Sequence, residues 1–251
     1  MDHLDLLIDL HQSHPRQGPG GDAQTGLALR LTGLDPADTL TVADIGCGTG
    51  AATLALARRL PRARITAVDV LAPFLATLQQ RCDAAGVAGR VAPLQASMDA
   101  LPFADGAFDL LWSEGAIYNI GFENGVNRWR RFLKPRGWLV VSELTWTTLQ
   151  RPPGLQAHWA REYPEVGSAA DKLAVLERSG YSPQGYFVLP ETCWREAYYR
   201  PLQADFASFL DRHGHSDAAR AVVAEHEQEI ALYDAHAAHF SYGVYVARRV
   251  D

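Results

Sequence analysis

The middle of the chain alternates between short apolar runs and stretches with helical periodicity. From Leu40 onward, five apolar runs are predicted to form buried strands: TVADI, ARITAVDV, RVAPLQAS, FDLLWS and GWLVVSEL. Three of the intervening stretches have the apolar spacing of amphipathic helices: AATLALARRL, PFLATLQQRCDAAG and GVNRWRRFLK. Strands that alternate with helices are typical of a parallel sheet joined by right-handed crossovers.

The pattern changes after Leu144. Two helical stretches come first, and two further strands, QGYFVLP and YGVYVARRV, are then predicted, with roughly fifty mostly helical residues between them. An insertion of that length in a compact fold usually has a function. We therefore predict an α/β, Rossmann-like, doubly wound, mostly parallel seven-stranded sheet with an antiparallel last strand. Residues 191–240 would form a helical cover over the site.

The composition argues against several classes of protein. The formal net charge is -6, and no basic stripe suited to nucleic acid is evident. Arg128, Arg130 and Arg131 cluster around Trp129, but a solvated helix face explains them better. No apolar run approaches the ~20 residues of a membrane span, and the acidic start MDHLDLLIDL does not resemble a signal peptide. We expect no nucleic-acid or membrane partner.

Cysteine and histidine usage points to neither a disulfide framework nor a metal site. Cys47, Cys82 and Cys193 are odd in number and widely spaced, as expected for free thiols in a reducing cytoplasm. The nine histidines include two close pairs, but no carboxylate or cysteine pattern joins them into a zinc spacing. We expect a cytoplasmic protein without a metal, as a monomer or homodimer.

The strongest chemical signal is the glycine-rich sequence VADIGCGTG at 42–50. Its glycines lie between a strand and a helix, where the backbone can approach a ligand and helix N–H groups are free. Asp69 ends the next predicted strand, where a carboxylate can accept both hydroxyls of a ribose. The spacing G-x-G-x-G differs from G-x-G-x-x-G, the fingerprint of dinucleotide-binding proteins. That fingerprint also accepts Ala at its third position, where Ala51 stands if Gly50 is ignored, so glycine spacing alone does not exclude NAD.

Five successive segments resemble the motifs of class I S-adenosylmethionine-dependent methyltransferases. They are VADIGCGTG, VDV, SMDALPF, FDLLWSEGAIYNIGF and LKPRGWLVVSE. The sequence is most similar to the group related to the ubiquinone/menaquinone-biosynthesis methyltransferases, in a bacterial subset with RQGPG, SEGAIYNIGF and LPExCW. The resemblance covers nearly the whole chain. It implies a single methyltransferase domain, 1–251, with an N-terminal helical segment and RQGPG loop (1–36), a cofactor-binding core (37–144) and a substrate-side part (145–251).

The resemblance also implies cofactor contacts. Gly46, Cys47 and Gly48 would line the methionine part, and Asp69 would hold the ribose with Val70 against the adenine. Ser97 stands where the family usually has an Asp for the adenine amino group. The full predicted set is Arg16, Gln17, Asp44, Gly46, Cys47, Gly48, Asp69, Val70, Ser97, Met98 and Ser113.

Methyl transfer from a sulfonium needs alignment and exclusion of water more than a catalytic triad. The candidate proton acceptors are Glu114, Tyr118 and Glu143. Both glutamates are predicted to lie just past strand ends that border the ligand crevice. The predicted contacts of a small-molecule acceptor are Glu114, Tyr118, Asn119, Trp146 and Trp194.

Two other functions stay open at this point. A non-catalytic S-adenosylmethionine-binding module would carry the same motifs, because methyl transfer leaves little catalytic signature. A nicotinamide-dependent oxidoreductase is less favoured, since no Tyr-Lys or similar hydride-handling pair is evident. An enzyme that methylates nucleic acid is disfavoured by the acidic charge and by SEGA in place of an NPPY-type motif.

The ribose assignment of Asp69 is directly testable. Asp69→Ala removes the carboxylate that would accept the ribose hydroxyls, so we expect S-adenosylhomocysteine to bind at least about tenfold more weakly, the effect of one lost charge-assisted hydrogen bond. Titration calorimetry measures the affinity. An unchanged affinity would contradict the assignment.

Overall fold

Eight strands form one sheet whose central part is parallel. The computed structural model describes residues 2–251. The strands are β1 (Thr41–Ile45), β2 (Arg64–Asp69), β3 (Val91–Gln95), β4 (Phe108–Ser113), β5 (Leu133–Trp146), β6 (Gly167–Ser168), β7 (Tyr181–Val188) and β8 (Phe240–Arg249). Their order is β3-β2-β1-β4-β5-β8-β7, and the two-residue β6 pairs with β5.

The predicted fold class is confirmed. The β8 strand runs antiparallel to both β5 and β7, and the other pairings are parallel. The number of strands differs by β6, which adds a short strand to the seven predicted, because two residues are too few to give an apolar run. The division of the chain at residues 36 and 144 stays a prediction.

Helices cover both faces and one end of this sheet. They are α1 (His3–Gln12), α2 (Asp22–Thr32), α3 (Ala51–Arg59), α4 (Ala72–Ala84), α5 (Phe122–Trp129), α6 (Pro153–Glu162), α7 (Ala169–Arg178), α8 (Glu191–Trp194), α9 (Arg200–Arg212) and α10 (Asp217–His236). A π-helical turn, Arg195–Tyr199, joins α8 to α9. Within residues 2–251, no helix combines the length and the hydropathy that crossing a bilayer requires.

Strand residues alternate between two core clusters. Val42 and Leu110 face the cluster that includes residues of α2, α3 and α4, whereas their neighbours Ala43 and Leu111 face the one that includes residues of α5 and α7. Because both faces are covered, the central strands are mostly apolar, as is usual in parallel sheets. A third cluster joins α1 to α9, α10 and the end of β5. The insertion therefore packs on the N-terminal helix as well as on the sheet.

Two side chains fasten the segment between α1 and α2 to the glycine-rich loop. Gln17 accepts a hydrogen bond from the Thr49 N–H (2.9 Å) and donates to the His11 carbonyl (3.0 Å). Arg81 donates to the carbonyls of Thr49 (3.1 Å) and His14 (2.8 Å). These bonds place the N-terminal segment beside the carboxyl ends of β1 and β2.

Arg81→Met tests this attachment. The loss of charge-assisted hydrogen bonds to partly buried carbonyls should lower the free energy of unfolding by about 2 kcal/mol. It should also speed amide exchange in residues 13–19. Urea denaturation and hydrogen exchange measure the two effects. Arg62→Met, at an exposed position, is the matched control, and equal effects of both variants would rule out the attachment.

Candidate functional site

A cavity of about 680 Å³ opens at the carboxyl ends of β1, β2 and β4. In doubly wound sheets this edge is where ligands bind. Most of the predicted site residues line the cavity: Arg16, Gln17, Asp44, Gly46, Cys47, Gly48, Asp69, Val70, Ser97, Met98, Glu114, Tyr118 and Asn119. The structure therefore brings the RQGPG loop, the glycine-rich loop and the SEGAIYN segment to one place.

Positive φ angles shape the glycine-rich loop. Gly46 has φ of 75° and Gly48 of 55°, in the left-handed region that side chains disfavour. A Cβ at Gly46 would collide with Ala116, and one at Gly48 with the side-chain oxygen of Gln17. The loop thus passes close to its neighbours, and its residues Gly46, Cys47 and Gly48 line the cavity.

Asp69 is held in place by the same loop. Its Oδ2 accepts the Gly48 N–H and its Oδ1 accepts the Leu71 N–H, both at 2.9 Å. Each oxygen retains a free lone pair. This geometry suits the two hydroxyls of a ribose.

Asp44 is a buried carboxyl with one unpaired oxygen. Thr53 donates to its Oδ2 at 2.5 Å, but its Oδ1 has no partner among the described residues. Burial raises the pKa of Asp44 to about 7, the Thr53 hydrogen bond opposes the rise, and the nearby charges of Glu114 and Asp69 add to it. Since Asp44 lines the cavity, a cationic ligand group beside it would stabilise its ionised form.

Glu114 accepts three hydrogen bonds from separate segments. Arg16 donates to its Oε2 at 2.9 Å, while Thr25 (2.7 Å) and the Trp112 indole (3.0 Å) donate to its Oε1. The second terminal nitrogen of Arg16, Nη2, is buried without a partner. Arg16 lines the cavity, so this nitrogen can bind a ligand carboxylate there.

Asp99 is a cavity residue that the sequence analysis missed. The Ser97 hydroxyl donates to Asp99 Oδ1 at 2.5 Å, and both residues line the cavity beside Met98. A carboxylate is thus present near the position where the resemblance implied only a hydroxyl. The signal lay in the segment SMDA, whose acid falls two residues after Ser97. Leu71 and Phe74, also unpredicted, add an apolar part to the wall.

Ser113 and Glu143 do not line the cavity. Ser113 is fully buried, and its hydroxyl donates to the Ile45 carbonyl at 2.8 Å, which joins the ends of β4 and β1. Glu143 lies inside β5 because that strand continues to Trp146. Its Oε1 lies 3.2 Å from Nζ of buried Lys172. Desolvation raises the pKa of Glu143 to about 6 against the opposing charge of Lys172.

The two predicted tryptophans are also placed away from the cavity. Trp194 is buried; it stacks on Tyr233 at 4.4 Å between ring centroids, and its indole donates to Ser241 at 2.9 Å. Trp146 lies under the Arg151 guanidinium at 4.7 Å. Both tryptophans therefore pack against other residues of the fold.

Comparison with known proteins agrees with this geometry. A family model described as a methyltransferase domain matches residues 42–137. Release factor glutamine methyltransferase of Chlorobaculum tepidum is 43% identical over 88 residues, which cover 34% of this chain and 30% of that protein. The ubiquinone/menaquinone biosynthesis C-methyltransferase UbiE of Paracoccus denitrificans is 33% identical over 164 residues, or 64% of each chain. The chain thus spans less than two thirds of the length of these relatives.

A solved structure extends the likeness of fold to the whole chain. The S-adenosylmethionine-dependent methyltransferase of Geobacter sulfurreducens, in complex with S-adenosylhomocysteine, has a TM-score of 0.82 at 20% identity and covers 98% of both chains.

Residues 42–137 match a methyltransferase domain, and the whole chain has the Rossmann-like α/β fold of methyltransferases. The methyltransferase-domain match, and the two structural neighbours crystallised with S-adenosylhomocysteine, agree with the predicted cofactor, S-adenosyl-L-methionine. The residues present fit that cofactor: Asp69 faces the cavity with free lone pairs, and Asp44 and Arg16 each have an unpaired atom for the charged groups of its methionine part. The finer resemblance to the subset with RQGPG and LPExCW stays a prediction.

The raised pKa of Asp44 predicts a pH dependence of cofactor binding. Between about pH 4 and pH 7 the carboxyl of the free protein is protonated, so a cationic ligand group must first displace a proton. The affinity for S-adenosylhomocysteine should therefore rise with pH, by roughly tenfold from pH 6 to pH 8. Calorimetry across that range checks the slope, and Asp44→Asn should abolish it. A wild-type slope that persists in the variant would assign the titration to another group.

Proposed function

We propose that this protein transfers the methyl group of S-adenosylmethionine to a small-molecule acceptor. The observation that carries the proposal is the shared cavity: the predicted cofactor contacts at the ends of β1 and β2 and most residues of the SEGAIYN segment line the same space. When bound, S-adenosylmethionine supplies an electrophilic methyl group on a sulfonium. The chain's own residues must then align the acceptor with that methyl and exclude water.

The three predicted proton acceptors differ in what surrounds them. Glu114 borders the cavity, but three donors already hold its carboxylate. We assign it to positioning the N-terminal segment and the cofactor. Tyr118 also lines the cavity and is 41% exposed, so its phenol is free to contact an acceptor, with Asn119 beside it. Glu143 lies behind them, paired with Lys172, and stays a candidate to receive a proton through an intervening group.

The cover supports a small acceptor over a macromolecule. The RQGPG loop reaches the cavity from the N-terminal side, and α1, α9 and α10 pack together in one cluster beside the end of β5. Leu4 of α1 and residues 16–19 line the cavity, and walls on this side favour an acceptor small enough to enter it. The relative from Paracoccus denitrificans is named for methylation in quinone biosynthesis, which also favours a small molecule. No group of three His, Cys, Asp or Glu side chains within residues 2–251 is placed to hold a metal.

Binding and turnover separate this function from its alternatives. We expect calorimetry to show binding of S-adenosylmethionine and S-adenosylhomocysteine and none of NAD, because Asp44, Asp69 and Arg16 match the first two ligands. We also expect incubation with S-adenosylmethionine and metabolite extracts to release S-adenosylhomocysteine and to shift an acceptor mass by one methylene. Asp69→Ala is the inactive control.

Two outcomes would contradict the proposal. Binding of NAD without S-adenosylmethionine would favour an oxidoreductase. Tight cofactor binding with no turnover on any extract would favour a binding module.

A further inference from the structure

A second cavity lies at the edge of the sheet opposite to the cofactor cavity. Its volume is about 430 Å³, and it is lined by Asp105, Gly106, Asn127, Arg130, Arg131, Pro135 and Arg249. Asp105 precedes β4, Pro135 lies near the start of β5, and Arg249 ends β8, which runs antiparallel to β5. This cavity therefore faces away from the carboxyl ends of β1, β2 and β4. Three of its lining residues are arginines.

Two of these arginines have no acidic partner. Arg131 pairs with Asp105, with 2.5 Å between Nε and Oδ1. Among residues 2–251, no carboxylate oxygen lies within 4.0 Å of a guanidinium nitrogen of Arg130 or Arg249. Asp105 compensates one of the three positive charges. The residues that line the cavity are therefore left with two uncompensated positive charges.

Backbone carbonyls around the cavity hold Arg130 and Arg249 in place. Arg130 donates from Nε to the Gly180 carbonyl at 3.2 Å and from Nη2 to the Val250 carbonyl. Arg249 donates from Nη1 to the carbonyls of Arg130 (3.4 Å) and Leu133. Both side chains are partly buried. The interpretation of Arg130 as part of a solvated helix face is therefore wrong, because its guanidinium is bound to the chain beside β7 and β8.

Both guanidinium groups keep donors that the fold does not use. Arg249 Nε is buried without a hydrogen-bond partner. No described residue accepts a hydrogen bond from Arg249 Nη2 or from Arg130 Nη1. Nε and Nη2 form one edge of a guanidinium, and such an edge can donate to two oxygens of the same anion. A buried donor without an acceptor is unfavourable, so an anion oxygen beside Arg249 would stabilise this arrangement.

We propose that this cavity is a binding site for a phosphate group, to which Arg249 and Arg130 donate hydrogen bonds while Arg131 adds a third positive charge. A phosphate monoester carries a charge of about -1.5 to -2 at pH 7, which matches the two uncompensated charges of the cavity. Its three terminal oxygens can accept from guanidinium groups on different sides, whereas a carboxylate has two oxygens and one charge. The ligand is thus free phosphate or a small phosphate monoester. The site does not depend on methyl transfer.

Three anions test the charge and the shape that the cavity accepts. Calorimetry at pH 8 and constant ionic strength measures the binding of inorganic phosphate, glycerol 3-phosphate and acetate to the wild type. Acetate is the singly charged control. The titrations are run with and without saturating S-adenosylhomocysteine, because phosphate bound at the second cavity should not compete with a ligand of the first.

Three variants change the site in opposite directions. Arg249→Lys keeps the charge but removes the Nε–Nη2 edge, and Arg131→Met removes a charge at an exposed position. Each should weaken phosphate binding about tenfold, the effect of one charge-assisted contact. Asp105→Asn removes the acid that engages Arg131 and should tighten binding about threefold. Arg62→Met, an exposed arginine outside the cavity, is the matched control and should bind phosphate like the wild type.

Several results would overturn the inference. They are phosphate binding to the wild type no more tightly than acetate, competition between phosphate and S-adenosylhomocysteine, and equal phosphate affinities of the wild type, Arg131→Met and Asp105→Asn. An equal loss in Arg62→Met would also do so, since it would indicate attraction to the overall charge. Thermal melting checks that each variant is folded, and the two exposed positions decide the outcome if Arg249→Lys is not. Tighter binding of glycerol 3-phosphate than of phosphate identifies an ester as the ligand, and the reverse order identifies free phosphate.

Discussion

The carboxylate of Glu114 joins three segments that are far apart in the sequence. It accepts hydrogen bonds from Arg16 in the loop after α1, from Thr25 in α2 and from Trp112 in β4. Hydrogen bonds to a partly buried charge are among the stronger ones in proteins. Through them the N-terminal segment, which is not part of the sheet, is held against its carboxyl edge. Together with the bonds of Gln17 and Arg81 to the glycine-rich loop, this acceptor holds the cavity wall that Arg16 and Gln17 provide.

The charge of Glu114 also disfavours ionisation of the nearby Asp44, and a cationic ligand can offset this effect. Asp44 lies near Glu114 and Asp69, and burial together with their charges raises its pKa to about 7. Arg16 is the main positive group beside these acids, and it is already engaged by Glu114. The cavity therefore has an excess of negative charge around the glycine-rich loop. A ligand with a sulfonium and an ammonium group matches that excess, which is a physical reason for the choice of cofactor.

The sequence predicted the parts of the site that depend on local geometry. Strand ends and glycine turns are encoded over a few residues, so Asp69 and the loop around Gly48 were found where the structure has them. Glu143 shows where this reasoning stops. The predicted strand ended near Leu144, but β5 continues to Trp146 and α7 brings Lys172 over the side chain. Whether an acid near a strand end faces a crevice depends on such distant contacts.

Trp194 packs the helical cover onto the sheet. Its ring stacks on Tyr233 of α10 at 4.4 Å and on Tyr242 of β8 at 5.4 Å between ring centroids, and its indole donates to Ser241. Buried aromatic stacking of this kind stabilises a core, so Trp194 joins α10 to β8 rather than lining the cofactor cavity. A residue predicted to bind the acceptor thus has a packing role, and the sequence alone could not distinguish the two roles because both need a large aromatic ring.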